Sequence, residues 1–399
     1  MSRARTLVYF GHAPQEGAGS AIIVLRHLRR FAADGWNIRI VADWGQDHAL
    51  CREAGWPVLT LSHRRTWWPP FNANQRVSRS LRARLWAGEA RRWLGANRPD
   101  AVLTYLSAFS DTLSIAAVGF ARRYSLPLAT LVHDDARCFT AGAEGERAHQ
   151  RREWIVQHST KAWFASSQLA GCFSISGRQS GVLPPIPEGT ASVPLNRSQA
   201  KPPLLVYAGN YWPAQLPTLA RIATATRAAG GRFLAILKEN TEHVALLQAA
   251  GAEWMPPFAR NVEALNFLRE NAAALLVSYA DTTADMPWTR TSFPSKFIEY
   301  CHLGLPIAIV APQDTAIAEW AVQRNYPDVF DPRDTTKLSA YISQLGNEQF
   351  CNNRMAEVRS FATGEFSAER IHRALESSLE SADTVSAPIP SSARHPLIS

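Results

Sequence analysis

The sequence predicts an α/β protein of two doubly wound, parallel-sheet domains. Three observations carry that expectation. Short apolar runs alternate with helix-length segments, the alternation stops and restarts near residue 200, and 399 residues exceed the size at which one core usually stops growing.

In the first half, the apolar runs at 6–10, 38–42, 101–105, 128–132 and 162–165 read as strands. In the second half the same reading applies to 204–208, 233–237, 273–277 and 307–310. The segments between them are long enough for the helical crossovers that parallel strands require. Residues 183–203 hold six prolines among small polar residues, so neither a helix nor a central strand runs through them. The organisation expected is a first domain over 1–183, a linker over 184–203 and a second domain over 204–360. A closing helix over 361–380 and a disordered tail over 381–399, rich in Ser, Pro and Ala, complete it.

Hydrophobic residues make up 46% and charged residues 19%, which excludes a disordered chain. No apolar run approaches the roughly 18 residues of a bilayer span. Residues 7–10 are too short for a signal core and read as a first strand. The five cysteines are scattered and form no C-x-x-C pair, so neither a disulfide framework nor a zinc site is expected, and a reducing cytoplasm is the expected home. The formal charge of +8 is concentrated: residues 63–98 carry nine arginines against one acid, Glu89. Val77, Leu81 and Leu85 recur there at four-residue steps, and Trp67, Trp68, Phe71, Trp86 and Trp93 add aromatics. Such a segment suits an anionic membrane surface. It also suits nucleic acid, but no nucleic-acid module accompanies it, so no nucleic-acid partner is expected.

Residues 292–310 read as a loop, a helix with one buried face, a turn at Gly304 and a buried strand. Pro294 suits a first helical turn, where its missing N–H costs nothing. The amides of that turn and the helix dipole form a site for phosphate. Glu299 follows about one and a half turns later, so its carboxylate could reach hydroxyls of a ligand whose phosphates sit on the helix tip.

This segment is similar to the nucleotide-binding signature of GT-B glycosyltransferases, of the retaining family 4 or group 1 type. Glu299, Gly304 and Pro306 match that signature in order and spacing. The resemblance implies two Rossmann-like domains facing a cleft, with the closing helix crossing back to the first. It implies a nucleoside-diphosphate sugar as donor substrate with no cofactor and no metal, and a glycan or lipid-linked acceptor, as in cell-surface polysaccharide assembly. Together with the basic segment, it implies a hexosyltransferase, cytoplasmic and peripheral on the inner face of the membrane. A sugar-nucleotide epimerase and a noncatalytic binding protein share the fold.

The resemblance also implies a set of site residues. Gly17, Gly19 and Ser20 correspond to the glycine loop after the first strand, where Ser20 could cap the next helix. His133 and Asp134, at the end of the fourth apolar run, correspond to a strand end that lines the donor sugar, and they are the catalytic candidates. His12 is a weaker one. Gly209 and Asn210 match the first turn of the second domain, but the Arg and Lys that usually follow it are absent. Lys238, Arg290 and Lys296 are the cations that could replace them, alongside Ser292, Pro294, Ser295 and Glu299 in the nucleotide-sugar site. Where the signature has a further Glu, eight residues before Glu299, this chain has Thr291; Asp281 and Asp285 in the preceding loop are the acids that could substitute for it.

Overall fold

The computed structural model describes residues 4–16, 19–43, 48–61, 76–106, 111–189 and 202–380. Gly17, the tail over 381–399, the linker residues 190–201, and Trp67, Trp68 and Phe71 of the basic segment lie outside these residues. The described residues divide into two compact units, those up to 183 together with 372–380, and those within 184–371.

The first unit is built on a seven-stranded parallel sheet. Its strands are β1 (Thr6–Phe10), β2 (Asn37–Asp43), β3 (Val58–Leu61), β4 (Ala101–Leu106), β5 (Leu128–Val132), β6 (Lys161–Phe164) and β7 (Ser180–Val182), in the order β3-β2-β1-β4-β5-β6-β7. Because β1 pairs with both β2 and β4, the winding direction reverses between β1 and β4. Thr104 holds that junction: its hydroxyl donates to the Phe10 carbonyl at 2.8 Å and lies 2.9 Å from Ser114 Oγ of the following helix. The central strands are apolar on both faces, as parallel strands covered by helices must be.

The second unit repeats the scheme with six parallel strands. These are β8 (Leu204–Ala208), β9 (Arg232–Ile236), β10 (Glu253–Met255), β11 (Ala274–Ser278), β12 (Ile307–Val310) and β13 (Val329–Phe330), in the order β10-β9-β8-β11-β12-β13. Successive residues of β8 enter opposite cores. Val206 packs with Phe297, Ile307 and Phe366 on one face, and Leu205 and Tyr207 pack with Leu219, Phe233 and Tyr341 on the other. Here the reversal falls between β8 and β11, and crevices that bind ligands open beyond the carboxyl ends of strands at such a point.

The helix Ala368–Glu380 carries a buried stripe, Ile371, Leu375 and Leu379, at four-residue steps. From His372 onward it belongs to the first unit. Trp36 Nε1 donates to Glu376 at 2.9 Å, Trp163 Nε1 donates to Ser378 Oγ at 3.1 Å, and His372 Nε2 lies 3.2 Å from Asp34.

Candidate functional site

The helix Ser295–Leu303 buries Phe297, Ile298, Tyr300 and Cys301, leaving Ser295, Lys296 and Glu299 half-buried. Pro294 stands one position earlier than the sequence suggested. It is the cap residue, with extended backbone at φ −72° and ψ 115°, and its carbonyl accepts the Phe297 N–H at 3.1 Å. The helix closes on Gly304 in the left-handed conformation, φ 64°, which a glycine adopts without steric cost. The chain then enters β12 directly.

Beyond β8 the chain turns at Gly209, φ +114°. A Cβ there would stand 2.7 Å from Cε and 2.8 Å from Nζ of Lys296, so only glycine lets this lysine cross the turn. Lys296 Nζ donates to the Asn210 carbonyl at 3.0 Å, and the Tyr207 hydroxyl donates to the same oxygen at 2.8 Å. The ammonium also lies 4.5 Å above the Tyr207 ring, a cation–π arrangement, and burial pushes its pKa down to about 8. Tyr300, one turn on, donates to the Ala208 carbonyl at 3.2 Å. Gly209, Asn210, Pro294, Ser295 and Lys296, drawn from segments about 85 residues apart in sequence, therefore meet at the switch point of the second sheet.

Across the switch point, the Gln215 amide donates to the Ser278 carbonyl and accepts the Trp212 N–H at 2.8 Å. Trp212 and Trp288 face each other with ring centroids 4.4 Å apart, and Trp212 remains half exposed. Glu299 accepts the Glu188 N–H at 3.3 Å, so its carboxylate is oriented by the backbone near the start of the second unit.

The remaining cations are placed differently. Arg290 donates to Thr283 Oγ1 at 2.8 Å and pairs with Asp314 at 3.2 Å. The Thr283 hydroxyl, with Arg290 beside it, holds the Asp314 carboxyl below the usual range. Lys238 is exposed two residues past β9 and has no ion pair among the described residues. Asp281 pairs with Arg221 and accepts from Thr218 Oγ1 at 2.7 Å, and Asp285 accepts from Thr282 at 2.6 Å. Ser292 donates its N–H to the Trp288 carbonyl at 2.7 Å, and the Thr291 hydroxyl faces the same oxygen at 3.4 Å.

In the first unit, the helix that follows β1 runs Gly19–Ala33, so Ser20 lies inside it and is not its cap; the Ser20 side chain is outside the described residues. Gly19 is exposed at the helix start. His133 follows β5, half-buried, its ring 5.0 Å from that of Tyr105. Burial lowers its pKa to about 4, so it is a neutral imidazole at pH 7. Burial lowers the pKa of His12 as well, against the opposing charge of Asp43.

Behind His133 and Asp134 lies a network that the sequence did not announce. Arg152, almost fully buried, donates to Asp111 at 3.0 Å and to the Asp134 carbonyl at 2.9 Å. Asp135 caps the next turn and accepts from Arg137 at 2.7 Å, with His149 Nδ1 at 3.1 Å. Burial opposes its ionisation, but the hydrogen bonds from His149 and Arg137 win and hold its carboxyl well below the usual carboxylate range. The one signal available was the Arg151-Arg152 pair beside the apolar run 154–156.

Ligand atoms of Asp34, His372 and Glu376 lie within 4.8 Å of one another, close enough to share a cation. Arg373 pairs with both carboxylates, which makes the cluster an ion-pair network that ties down the last helix.

The basic helix Arg76–Leu94 packs through Ala83, Trp86, Ala90 and Leu94. Leu81 and Leu85, two of the residues that recur at four-residue steps, are 40% and 44% exposed. Small Ala83 and Ala90 let the backbone approach the neighbouring helix Thr112–Tyr124, and that close fit turns the leucines outward.

No protein-family model matches the chain, and no curated protein matches it by sequence. Solved structures match it in fold. Sucrose-phosphate synthase from Thermosynechococcus elongatus superposes with a TM-score of 0.67 at 12% identity, over 94% of this chain and 98% of that one. A glycosyltransferase from Rickettsia africae gives 0.67 at 11% identity, over 94% and 98%. The Anabaena protein HepE, solved in complex with UDP and glucose, gives 0.63 at 10% identity, over 94% and 99%. With two doubly wound parallel sheets, each reversing direction beside its first strand, the chain has the GT-B fold.

Proposed function

We propose that the chain is a glycosyltransferase that moves a hexose from a nucleoside-diphosphate sugar to a glycan or lipid-linked acceptor, in cell-surface polysaccharide assembly at an anionic inner membrane face. The observation that carries this reading is Lys296 lying across Gly209 at the switch point of the second sheet. It supplies a cation at the turn where the usual Arg and Lys are missing.

The pyrophosphate of the donor would sit on the first turn of the helix Ser295–Leu303, between its amides and the Lys296 ammonium. As the bond between the sugar and the β-phosphate oxygen breaks, negative charge grows on that oxygen, and preorganised donors aimed at it supply the largest catalytic contribution. The helix dipole and Lys296 would do so without a divalent ion. Glu299, oriented by the Glu188 amide, would accept from the ribose hydroxyls. His133, neutral at pH 7, would exchange hydrogen bonds with a sugar hydroxyl, with Asp134 beside it.

The test is a thermal-shift series with UDP, GDP, ADP and their sugar conjugates, because a ligand that binds only the native state raises the melting temperature. At least one nucleoside diphosphate should raise it, with the shift lost in Lys296→Met and unaffected by EDTA. A series in which no nucleotide shifts melting would overturn the reading.

A noncatalytic nucleotide-binding protein is the second reading, favoured by Thr291 at the place of the other Glu and by the pairing of Arg290 with Asp314. Nucleotide binding without sugar transfer or hydrolysis would select it. Sugar-nucleotide turnover without any acceptor would select an epimerase.

A further inference from the structure

The helices Arg76–Leu94 and Thr112–Tyr124 leave a groove of 410 Å³ on the flank of the first unit. Its rim is Arg84 and Arg91 from the first helix and Arg122 and Arg123 from the second, and Gly88 and Gly119 open it because neither has a neighbour within 4 Å of its missing Cβ. The floor is apolar, with Ile115, Val118 and Trp154. Among the described residues, none of the four arginine side chains has a hydrogen bond or an ion pair, and no acid lines the groove. Ser80 Oγ, buried at the same groove, has no partner there either.

The bland account of these arginines is that cations favour helix C-termini, and Arg91, Arg122 and Arg123 do stand in last turns. Magnitudes show that this is not enough. Two helix ends carry about one negative charge between them, whereas four guanidiniums bring four positive ones, so about three remain uncompensated over an apolar floor. The exposed Leu81 and Leu85 adjoin the groove: steps of about 100° per residue put Leu81, Leu85, Gly88 and Arg92 within a roughly 60° arc of the helix. Cations, exposed leucines and an apolar cleft on one surface complement an anionic headgroup joined to hydrocarbon.

We propose that this groove docks on a bilayer by taking the phosphate of an anionic phospholipid between Arg84, Arg91, Arg122 and Arg123, with Leu81 and Leu85 seated at the acyl boundary. It deepens the membrane attachment proposed above and gives that attachment a site. It involves neither donor nor acceptor, so failure of the lipid test leaves the nucleotide reading standing.

The experiment is co-sedimentation of the full chain with phosphatidylcholine vesicles, with and without phosphatidylglycerol at about one lipid in three. Binding is expected only with phosphatidylglycerol and should weaken at high salt. Each arginine near an anionic surface contributes about fivefold in partitioning, so Arg84→Gln with Arg91→Gln should lose about 25-fold. Arg333→Gln with Lys337→Gln, which removes equal charge from exposed sites of the second unit, should lose little. Gly119→Leu fills the groove without changing charge and should also weaken binding, with melting curves confirming that each variant is folded. The proposal is overturned by equal binding to both vesicles, by equal loss in the two charge-matched pairs, or by unchanged binding of Gly119→Leu. Retention on single-stranded DNA that the groove arginines control, without vesicle binding, would assign the surface to nucleic acid instead and equally overturn it.

Discussion

Lys296 Nζ stands 3.0 Å from the Asn210 carbonyl oxygen, above a turn where a side chain on Gly209 would occupy its place. The lysine and the glycine are thus one device, which holds a cation on the strand-end side of a helix tip. Since burial lowers the ammonium pKa to about 8, the charge that a diphosphate needs fades as pH rises past that value. Nucleoside-diphosphate affinity measured by calorimetry should be flat below about pH 7 and fall by up to tenfold per unit above pH 8. Lys296→Arg, charged throughout, should flatten the profile. A decline that persists in that variant would assign it to another group.

Gly209→Ala tests the other half of the device. The new methyl meets the Lys296 side chain at 2.7 Å and the backbone stays at φ +114°, a region that costs a non-glycine residue about 1–3 kcal/mol. The urea midpoint should drop accordingly, and nucleotide affinity should fall with it because the lysine is displaced. Unchanged stability and unchanged affinity would show that the turn relaxes freely.

How far the sequence announced this arrangement depends on position in the sheet. The nine strands predicted from apolar runs are the nine inner strands, since a strand paired on both sides and largely covered by helices carries an apolar run, although β2 and β6 keep polar, partly exposed residues such as Arg39 and Lys161. The four strands not anticipated, β3, β7, β10 and β13, are the four sheet edges; they span two to four residues and are partly exposed, so even the Val58-Leu-Thr-Leu61 of β3 is too short to stand out as a strand. The site behaved in the same way. The helix tip at Pro294 and the turn at Gly209 were legible because proline, glycine and local spacing mark them. The partners of charged residues were not, because Arg290 meets Asp314 and Asp281 meets Arg221 across 24 and 60 residues of sequence. Nothing local in an arginine distinguishes a phosphate ligand from half of an ion pair.

Arg152 makes that point testable. Its side chain is 1% exposed and bound to Asp111, so Asp111→Ala leaves a guanidinium buried without its counter-charge. Breaking a buried pair by removing one partner costs about 3–5 kcal/mol, here moderated by the remaining bond to the Asp134 carbonyl. Chemical denaturation should show a loss near the lower figure. The double variant Asp111→Ala with Arg152→Met should recover part of it, and no recovery would mean that the aspartate acts through other contacts, including Arg151.

The last helix carries a pH response of the opposite sense to that of Lys296. Asp34 faces His372 Nε2 at 3.2 Å, and His372 Nδ1 faces His27 Nδ1 at 3.4 Å. The carboxylate fixes the tautomer: Nε2 of His372 donates to Asp34, which leaves Nδ1 to accept from His27. Protonating the pair sets two donors against each other. Burial, followed by repulsion from His372 and His133 and then from Arg30 and Arg26, holds His27 well below its ordinary pKa; burial also lowers His372, against the pull of Asp34 and Glu376. With both folded-state values depressed, the unfolded chain takes up protons first. The stabilisation is complete above about pH 6.5 and is lost as pH falls below it, by up to about 1.4 kcal/mol per pH unit for each histidine. His27→Leu should shallow this acid slope while leaving the His372 to Asp34 bond in place. Stability that stays level from pH 7 to pH 5 in the parent chain would show that the two imidazoles do not resist protonation.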